Sequence, residues 1–170
     1  MFPLEMNYYY IHDLTWFSLS NIRFFKYMNP LVCQFDPVLH TLRYIRSRSS
    51  FLFTTLLRAA AKIFYPSLYP KLHDHLEKLL HSILGKAQKS PEIVQAICLM
   101  THWKESSDSR AWMFIGYAIR ACLEMGWHKL KPTNLDGSTH HIVGADAEME
   151  IRERRNKERT WLMLFVYDRR

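Results

Sequence analysis

Histidine and acidic side chains are the groups in this sequence whose types and spacing come closest to a catalytic site. The chain holds nine histidines, and His73-Asp74-His75 places two of them around an aspartate. An adjacent His-Asp pair can bridge metal ions in a helical phosphohydrolase, but side chains two residues apart on a helix point to different sides. Further ligands would have to come from His81, His102 and His128. We therefore predict that residues 73–75 lie on a helix surface, with a metal-dependent helical phosphohydrolase as the alternative.

The cysteines and the loop motifs indicate neither an active site nor a bound cofactor. The three cysteines, Cys33, Cys98 and Cys122, are odd in number and lack C-x-x-C spacing, so they support neither a disulfide framework nor a zinc site. Cys122 and His128 have no evident base or orienting acid for nucleophilic catalysis. Glycine-rich phosphate loops and the G-x-S-x-G motif do not occur in the sequence. We predict buried free thiols, no catalytic or metal-binding residue, and no cofactor in this chain, which is therefore predicted not to be an enzyme.

Basic residues are concentrated in the first half of the chain, within a formal net charge of +7. Residues 34–89 hold nine Lys and Arg against three Asp and Glu, a surplus of six. Basic residues could attract nucleic acid by neutralising phosphates, but phosphate contacts carry no sequence information, and a solvated helix face explains them at least as well. The residues in question are Arg43, Arg46, Arg48, Arg58 and Lys62. We predict no sequence-specific DNA contact by this chain.

Apolar residues recur at three- and four-residue steps along most of the chain, and no strand-like alternation of useful length occurs. The pattern predicts an all-α fold of about six helices stacked as antiparallel pairs, beginning near residues 36, 50, 69, 90, 108 and 147. Residues 1–33 are rich in aromatic side chains and stay unassigned, and residues 34–170 are predicted to form one domain. No apolar run approaches the roughly 20 residues that span a bilayer, so we expect a soluble intracellular chain without membrane contact.

Several residues are predicted to shape particular helices. Around residues 108–125, apolar side chains cover nearly the whole helix circumference, so this helix is predicted to be central and buried. Gly116 is predicted to let a neighbouring backbone approach, and Gly85 and Gly126 are predicted to end their helices. Ser90-Pro91-Glu92 is a strong start signal, because the serine oxygen caps free N–H groups and proline at the first position needs no partner.

Two segments carry a recognisable motif. Residues 111–128 read AWMFIGYAIRACLEMGWH, and residues 154–169 read RRNKERTWLMLFVYDR. Together they resemble the middle homology region, or transcription factor domain, of the fungal binuclear zinc-cluster regulators with six cysteines. The matching residues are Trp112, Gly116, Ala118, Arg120, Ala121, Gly126 and His128 in the first segment and Arg159, Trp161, Phe165, Asp168 and Arg169 in the second.

The resemblance implies an all-helical regulatory domain of a nuclear RNA polymerase II transcription factor, which acts through protein contacts or inducer sensing. Its partners would be the transcription machinery, a second copy of the chain or a small-molecule inducer. DNA binding and zinc would belong to an N-terminal domain that this chain lacks, because three scattered cysteines cannot build a six-thiolate site. The family domain continues beyond the Asp-Arg pair, so we expect the chain to be incomplete at both ends. A helical scaffold unrelated to transcription is the remaining alternative.

Elementary physics predicts structural roles for some of the matching residues. Arg120 and Arg159 are cations on otherwise apolar helices, and a buried charge must be paired. The predicted partners are Asp168, Glu124 and helix C-terminal carbonyls. Trp112 and Trp161 are predicted to fill the space between helices.

Overall fold

The computed structural model describes residues 18–129 and 145–169, and every regular element within these ranges is helical. Residues 18–32 form α1, which includes a π-helical stretch, Phe24–Met28, followed by Asn29–Val32. The other elements are α2 (Leu42–Arg48), α3 (Ser50–Phe64), α4 (Tyr69–Gly85), α5 (Pro91–His102), α6 (Ala111–Glu124), a short 3-10 turn (Trp127–Lys129) and α7 (Ala145–Asp168). The predicted all-α class is confirmed.

Helix α1 lies in the segment that the sequence left unassigned. Phe24, Met28 and Val32 are all buried and recur at four-residue steps, which is the spacing of one helix face. This spacing was present in the sequence, but the surrounding aromatic residues obscured it. The part of the unassigned segment before residue 18, and most of the loop predicted between residues 127 and 147, lie outside the described residues.

The central helix of the core is α5. All residues from 93 to 100 are buried, and α5 packs against α3, α6 and α7. The helix starts as predicted, because the Ser90 hydroxyl accepts the Ile93 N–H at 3.2 Å and Pro91 occupies the first turn. A helix with a neighbour on every side needs apolar residues all around, and α5 is such a helix.

The prediction that residues 108–125 form the central helix is wrong. In α6 the inward row is buried as predicted, for example at Ile115 and Cys122, but the second apolar row is only half-buried in its middle and exposed at both ends. Trp112 and Leu123 belong to this second row and are exposed, as is Met113 beside it. Helix α6 packs against α5 and α7 only on its inner side, so an apolar circumference did not identify a buried helix.

The helix predicted to begin at Asp36-Pro37 begins instead at Leu42. Residues 37–40 form a turn, and Thr41 is the N-cap, with its hydroxyl accepting the Tyr44 N–H at 3.2 Å. Proline at the start of a turn leaves the same sequence signature as proline at the first position of a helix. Val38 is exposed because it lies in the turn and not on the apolar face of α2.

Helices α3 and α4 pack against each other as the predicted hairpin. Helix α3 ends just before Pro66, although Ile63, predicted to face inward, is exposed. Helix α4 buries Leu76, Leu80 and Ile83. His73 and Glu77 were predicted to face solvent, but both are half-buried in contacts with charged residues of other elements.

Helix α4 ends with a left-handed residue that is not a glycine. Gly85 is the last helical residue, and it is Ala87 that adopts φ 48°. The Gln88 N–H donates to the Ile83 carbonyl at 3.0 Å, and the Ala87 N–H donates to the Leu84 carbonyl at 3.1 Å. These are the two hydrogen bonds of a Schellman motif, so the predicted capping role of Gly85 is wrong.

Two of the three cysteines are buried free thiols, as predicted. Burial raises the pKa of the Cys122 thiol to about 12 and also raises the pKa of the Cys98 thiol. Cys33 differs from the prediction, because it is exposed and adopts φ 53° at the end of α1.

The basic residues between 34 and 89 do not form one free cationic face. Arg58 is buried, Lys62 forms an ion pair at 3.0 Å, and Arg48 lies within 3.6 Å of two carboxylates. Arg43 and Arg46 are exposed. Three of the five residues therefore have polar partners within the chain, which favours the structural interpretation of the charge. No described helix is long and apolar enough to span a bilayer.

Candidate functional site

A groove of about 790 Å³ lies where the C-terminal ends of α5 and α7 approach the N-terminal end of α6. We call it the α6 groove. Its apolar lining consists of Trp112, Ile115 and Tyr167, together with the small side chain of Ala111. Its polar lining consists of Thr101, His102, Lys104, Glu105, Ser106, Asp108, Ser109 and Asp168. The groove thus combines an apolar floor with groups that can form hydrogen bonds and ion pairs.

Residues 103–110 connect α5 to α6 and form one side of the groove. The Asp108 carboxylate accepts the Arg110 backbone N–H at 2.9 Å, a local turn that leads into α6. Lys104 Nζ donates to the Asp108 carbonyl at 3.1 Å and to the Glu105 carbonyl at 3.4 Å. The connection is therefore held by its own side chains.

Arg110 ties this connection to α4. Its guanidinium donates to both oxygens of Glu77, at 2.8 and 2.9 Å, and lies 2.9 Å from an oxygen of Asp108. Arg110 holds the pKa of Asp108 at about 2 and lowers the pKa of Glu77. The same guanidinium lies 5.1 Å from the Phe114 ring centroid. Bidentate pairs of this kind fix geometry as well as charge.

A second polar link joins α3, α4 and the 103–110 connection. Arg58 Nη2 donates to the Tyr69 hydroxyl at 2.7 Å, and that hydroxyl donates to Glu105 at 2.6 Å. Lys62 lies 3.0 Å from the same carboxylate. The Tyr69 hydroxyl and Lys62 lower the pKa of Glu105. Neither this link nor the pairing of Arg110 was predicted from the sequence, because the partners lie on separate elements far apart in the chain.

The wall between α5 and α7 is closed by a histidine and a tyrosine. His102 Nδ1 lies 2.9 Å from the Tyr167 hydroxyl, and the two rings meet edge to face. Next to them the Thr101 hydroxyl is buried and lacks a hydrogen-bond partner among the described residues.

Of the matching residues in the first segment, Trp112 is the one that lines the groove. Trp112 is 80% exposed on the rim, so the prediction that it fills the space between helices is wrong. Gly116 makes room for a side chain and not for a neighbouring backbone, because a Cβ there would lie 3.1 Å from Arg120 Nη1. That guanidinium is exposed and donates to the Gly116 carbonyl at 3.0 Å, so Arg120 is not the buried cation that was predicted.

The other residues of the first motif have structural positions or face solvent. Ala118 and Ala121 are buried on the inner side of α6. Gly126 adopts φ 78° directly after the helix, which confirms the predicted left-handed cap. His128 is exposed in the 3-10 turn and does not line the groove.

The second motif also divides between the core and the groove. Arg159 is half-buried and donates to the carbonyl of Gln34 at 3.3 Å, so its partner is a backbone oxygen beyond the end of α1 and not Asp168. Trp161 is half-buried and packs edge to face on Phe165, with ring centroids 4.9 Å apart. Phe165 and Arg169 are exposed. Asp168 is exposed and lines the groove opposite α6.

Residues 73–75 are not grouped with further metal-ligating side chains in the described part of the chain. Within residues 18–129 and 145–169, no group of three or more His, Cys, Asp and Glu could hold a metal ion. His73 stacks on Tyr69 and its Nδ1 accepts a hydrogen bond from Arg58 Nε at 3.2 Å. Asp74 and His75 are exposed, as predicted, so the metal-dependent phosphohydrolase has no support in the described part of the chain.

Comparison with known proteins identifies the family. The model of the fungal specific transcription factor domain matches residues 23–170. Protein priB of Lentinula edodes is 37% identical over 160 residues, which cover 93% of this chain and 24% of that protein. The chain thus spans about a quarter of the length of this curated relative. No solved structure matches the chain. With its all-helical fold and both motif segments inside the matched region, the chain belongs to the family of fungal specific transcription factor domains.

Proposed function

We propose that this chain is the regulatory domain of a fungal RNA polymerase II transcriptional regulator, and that it acts in the nucleus by binding a partner at the α6 groove. One observation carries the proposal: Trp112 and Asp168, from two separate motif segments, line the same groove. Neither residue has a role in the core that would explain it, since both are exposed. A large apolar side chain exposed on the rim of a groove is typical of a binding site.

This surface is compatible with three kinds of partner: the transcription machinery, a second copy of the chain, or a small-molecule inducer. Further exposed apolar residues occur on α6 and α7, namely Met113, Leu162, Phe165 and Val166. Zinc binding and DNA reading would belong to another part of the full-length factor. The buried thiols Cys98 and Cys122 and the internally paired Arg58 support this division.

The test is a tethering experiment in a fungal host. The chain is fused to a heterologous DNA-binding domain and an activation domain, and transcription of a reporter gene is measured. We expect the chain to change reporter output, and we expect Trp112→Ala to remove that change without lowering the melting temperature, because the Trp112 side chain is largely exposed.

The matched control is Met149→Ala, another exposed apolar residue, which lies near the start of α7 and outside the groove. It should leave the regulatory effect intact. A reporter output that is the same with and without the chain would contradict the proposal, and so would equal outputs from the wild-type chain and Trp112→Ala.

A further inference from the structure

We propose that the α6 groove binds an organic ammonium group, held over the Trp112 indole and against the Asp168 carboxylate. The inference rests on the proposed function, because it names the chemistry of a ligand for the same groove.

The carboxylates that line the groove differ in their partners. Glu105 is paired with Lys62 at 3.0 Å, and Asp108 is paired with Arg110 at 2.9 Å. Asp168 is exposed and forms no ion pair within the described ranges. It is therefore the lining carboxylate that remains available to a cationic ligand.

The position of Asp168 strengthens its attraction for a cation. Asp168 is the last residue of α7, and the final carbonyls of a helix carry a partial negative charge. Arg169 follows it but does not line the groove. The carboxylate and the helix end thus act in the same direction, and an anionic ligand at this end would be repelled.

The lining ammonium group of Lys104 does not neutralise Asp168. Lys104 Nζ donates to two carbonyls of the connection that bears it, those of Glu105 and Asp108, at 3.4 and 3.1 Å. Lys104 therefore binds carbonyl oxygens of its own segment, and the negative charge of Asp168 on the other side of the groove is not neutralised by it.

Trp112 supplies the second attraction. Among aromatic side chains, the indole ring binds cations best over its face, and this indole is open to solvent. Ile115 and Tyr167 form the apolar floor beside it, which would receive the hydrocarbon part of the ligand. A volume of about 790 Å³ lies in the range of small-molecule sites. An ammonium compound with a compact apolar body fits the Asp168 carboxylate, the open face of the Trp112 indole and the apolar floor.

The test uses choline and its uncharged isostere, 3,3-dimethylbutan-1-ol, as probes of the whole chain. The chain is labelled with 5-fluorotryptophan, the Trp112 signal is assigned by its loss in Trp112→Phe, and each probe is titrated by fluorine NMR. We expect choline to shift the Trp112 signal saturably, and the isostere to bind about tenfold more weakly, which corresponds to about 1.4 kcal/mol. Asp168→Asn should weaken choline binding and leave the isostere unchanged.

The control variant is Glu150→Gln, which removes an exposed carboxylate near the other end of α7 and should not alter either titration. Equal binding of the two probes, or choline binding that Asp168→Asn does not weaken, would overturn the ammonium proposal. If the probes fail in this way while Trp112→Ala still changes the reporter output, the regulatory role of the groove stands and only the ligand chemistry is wrong. If choline binds selectively but the reporter test fails, the ammonium site stands and the proposed regulatory role is wrong.

Discussion

At the scale of single residues, His40 is a histidine held in the core by polar partners. It is 1% exposed, and its Nδ1 lies 3.1 Å from the Asp36 carbonyl. The Asp36 backbone N–H donates to the same Nδ1 at 3.1 Å, and the Gln95 side-chain amide nitrogen lies 3.4 Å from Nε2. Burial lowers the pKa of His40, and the positive charge of Arg159 acts in the same direction, while Asp36 opposes it. The neutral ring is therefore the form that fits the folded chain.

This arrangement predicts that acid destabilises the protein through His40. Below the ordinary histidine pKa of 6.5, the unfolded chain takes up a proton that the folded chain resists, so the free energy of unfolding falls as the pH drops. The loss begins near that value and continues down to the lowered pKa of the folded state. In His40→Gln, which cannot titrate, urea unfolding should depend less on pH between about 7 and 5.

The control for this measurement is His75→Gln, which removes an exposed histidine. Its unfolding free energy should keep the pH dependence of the wild-type chain. A wild-type slope in His40→Gln would show that other groups cause the acid sensitivity.

The residues of the groove show what sequence reasoning could and could not find. The motif drew attention to Trp112 and Asp168, but both were predicted to lie in the core. Trp112 was expected to fill the space between helices, and Asp168 was expected to pair with a buried arginine. Their meeting depends on how the end of α7 packs beside the start of α6, and no local pattern encodes that packing. Arg110 and Glu77 were missed for the same reason, since their pairing joins α6 to α4.

At the scale of elements, helix ends with local signals were predicted well. The Ser90 cap and the left-handed Gly126 follow from a few neighbouring residues, and both occur as predicted. Asp36-Pro37 and Gly85 carried equally local signals but were misread. Asp36-Pro37 leads into a turn, and Gly85 lies two residues before Ala87, the residue with the left-handed backbone conformation. The choice between such alternatives depends on which hydrogen bonds the following residues complete.

Two substitutions at the end of α4 test whether Ala87 or Gly85 is the left-handed residue that ends the helix. Ala87→Gly should stabilise the chain by about 0.5–1 kcal/mol, because glycine adopts a left-handed conformation without the steric cost of a Cβ. Gly85→Ala should also stabilise it, by about 0.5 kcal/mol, since a Cβ at Gly85 meets nothing within 4 Å and alanine favours the helix. Urea unfolding of both variants measures these changes.

If Gly85 were the left-handed cap, Gly85→Ala would be destabilising instead. Gly126→Ala provides the reference for that outcome, because φ 78° at Gly126 strains any residue with a Cβ. It should cost about 1 kcal/mol or more.

At the scale of the whole molecule, α7 is joined to the rest of the chain by polar contacts as well as by apolar packing. Gln95 Nε2 in α5 donates to the Asn156 side-chain oxygen at 2.8 Å. Arg152 forms an ion pair with Asp36 at 2.8 Å. These contacts fix the position of α7, because a buried amide that loses its partner is costly, whereas apolar side chains tolerate small displacements.

We therefore expect Asn156→Leu to destabilise the chain by about 2 kcal/mol, since it leaves the Gln95 amide buried without its closest acceptor. Combining it with Gln95→Leu should restore part of the loss, because both members of the pair are then apolar. Thermal unfolding of the two single variants and the double variant measures the coupling between them. Costs that simply add would mean that the amide pair does not join α7 to α5.

Cys33 gives the molecule a chemical handle that needs no engineering. Its sulfur is exposed at the end of α1, whereas Cys98 and Cys122 are buried and their raised pKa values keep them protonated. A thiol-reactive dye should therefore attach at one position in the native chain. Energy transfer from tryptophan to that dye would report the distance between α1 and the indole rings, so movement of the chain upon ligand binding could be followed in solution.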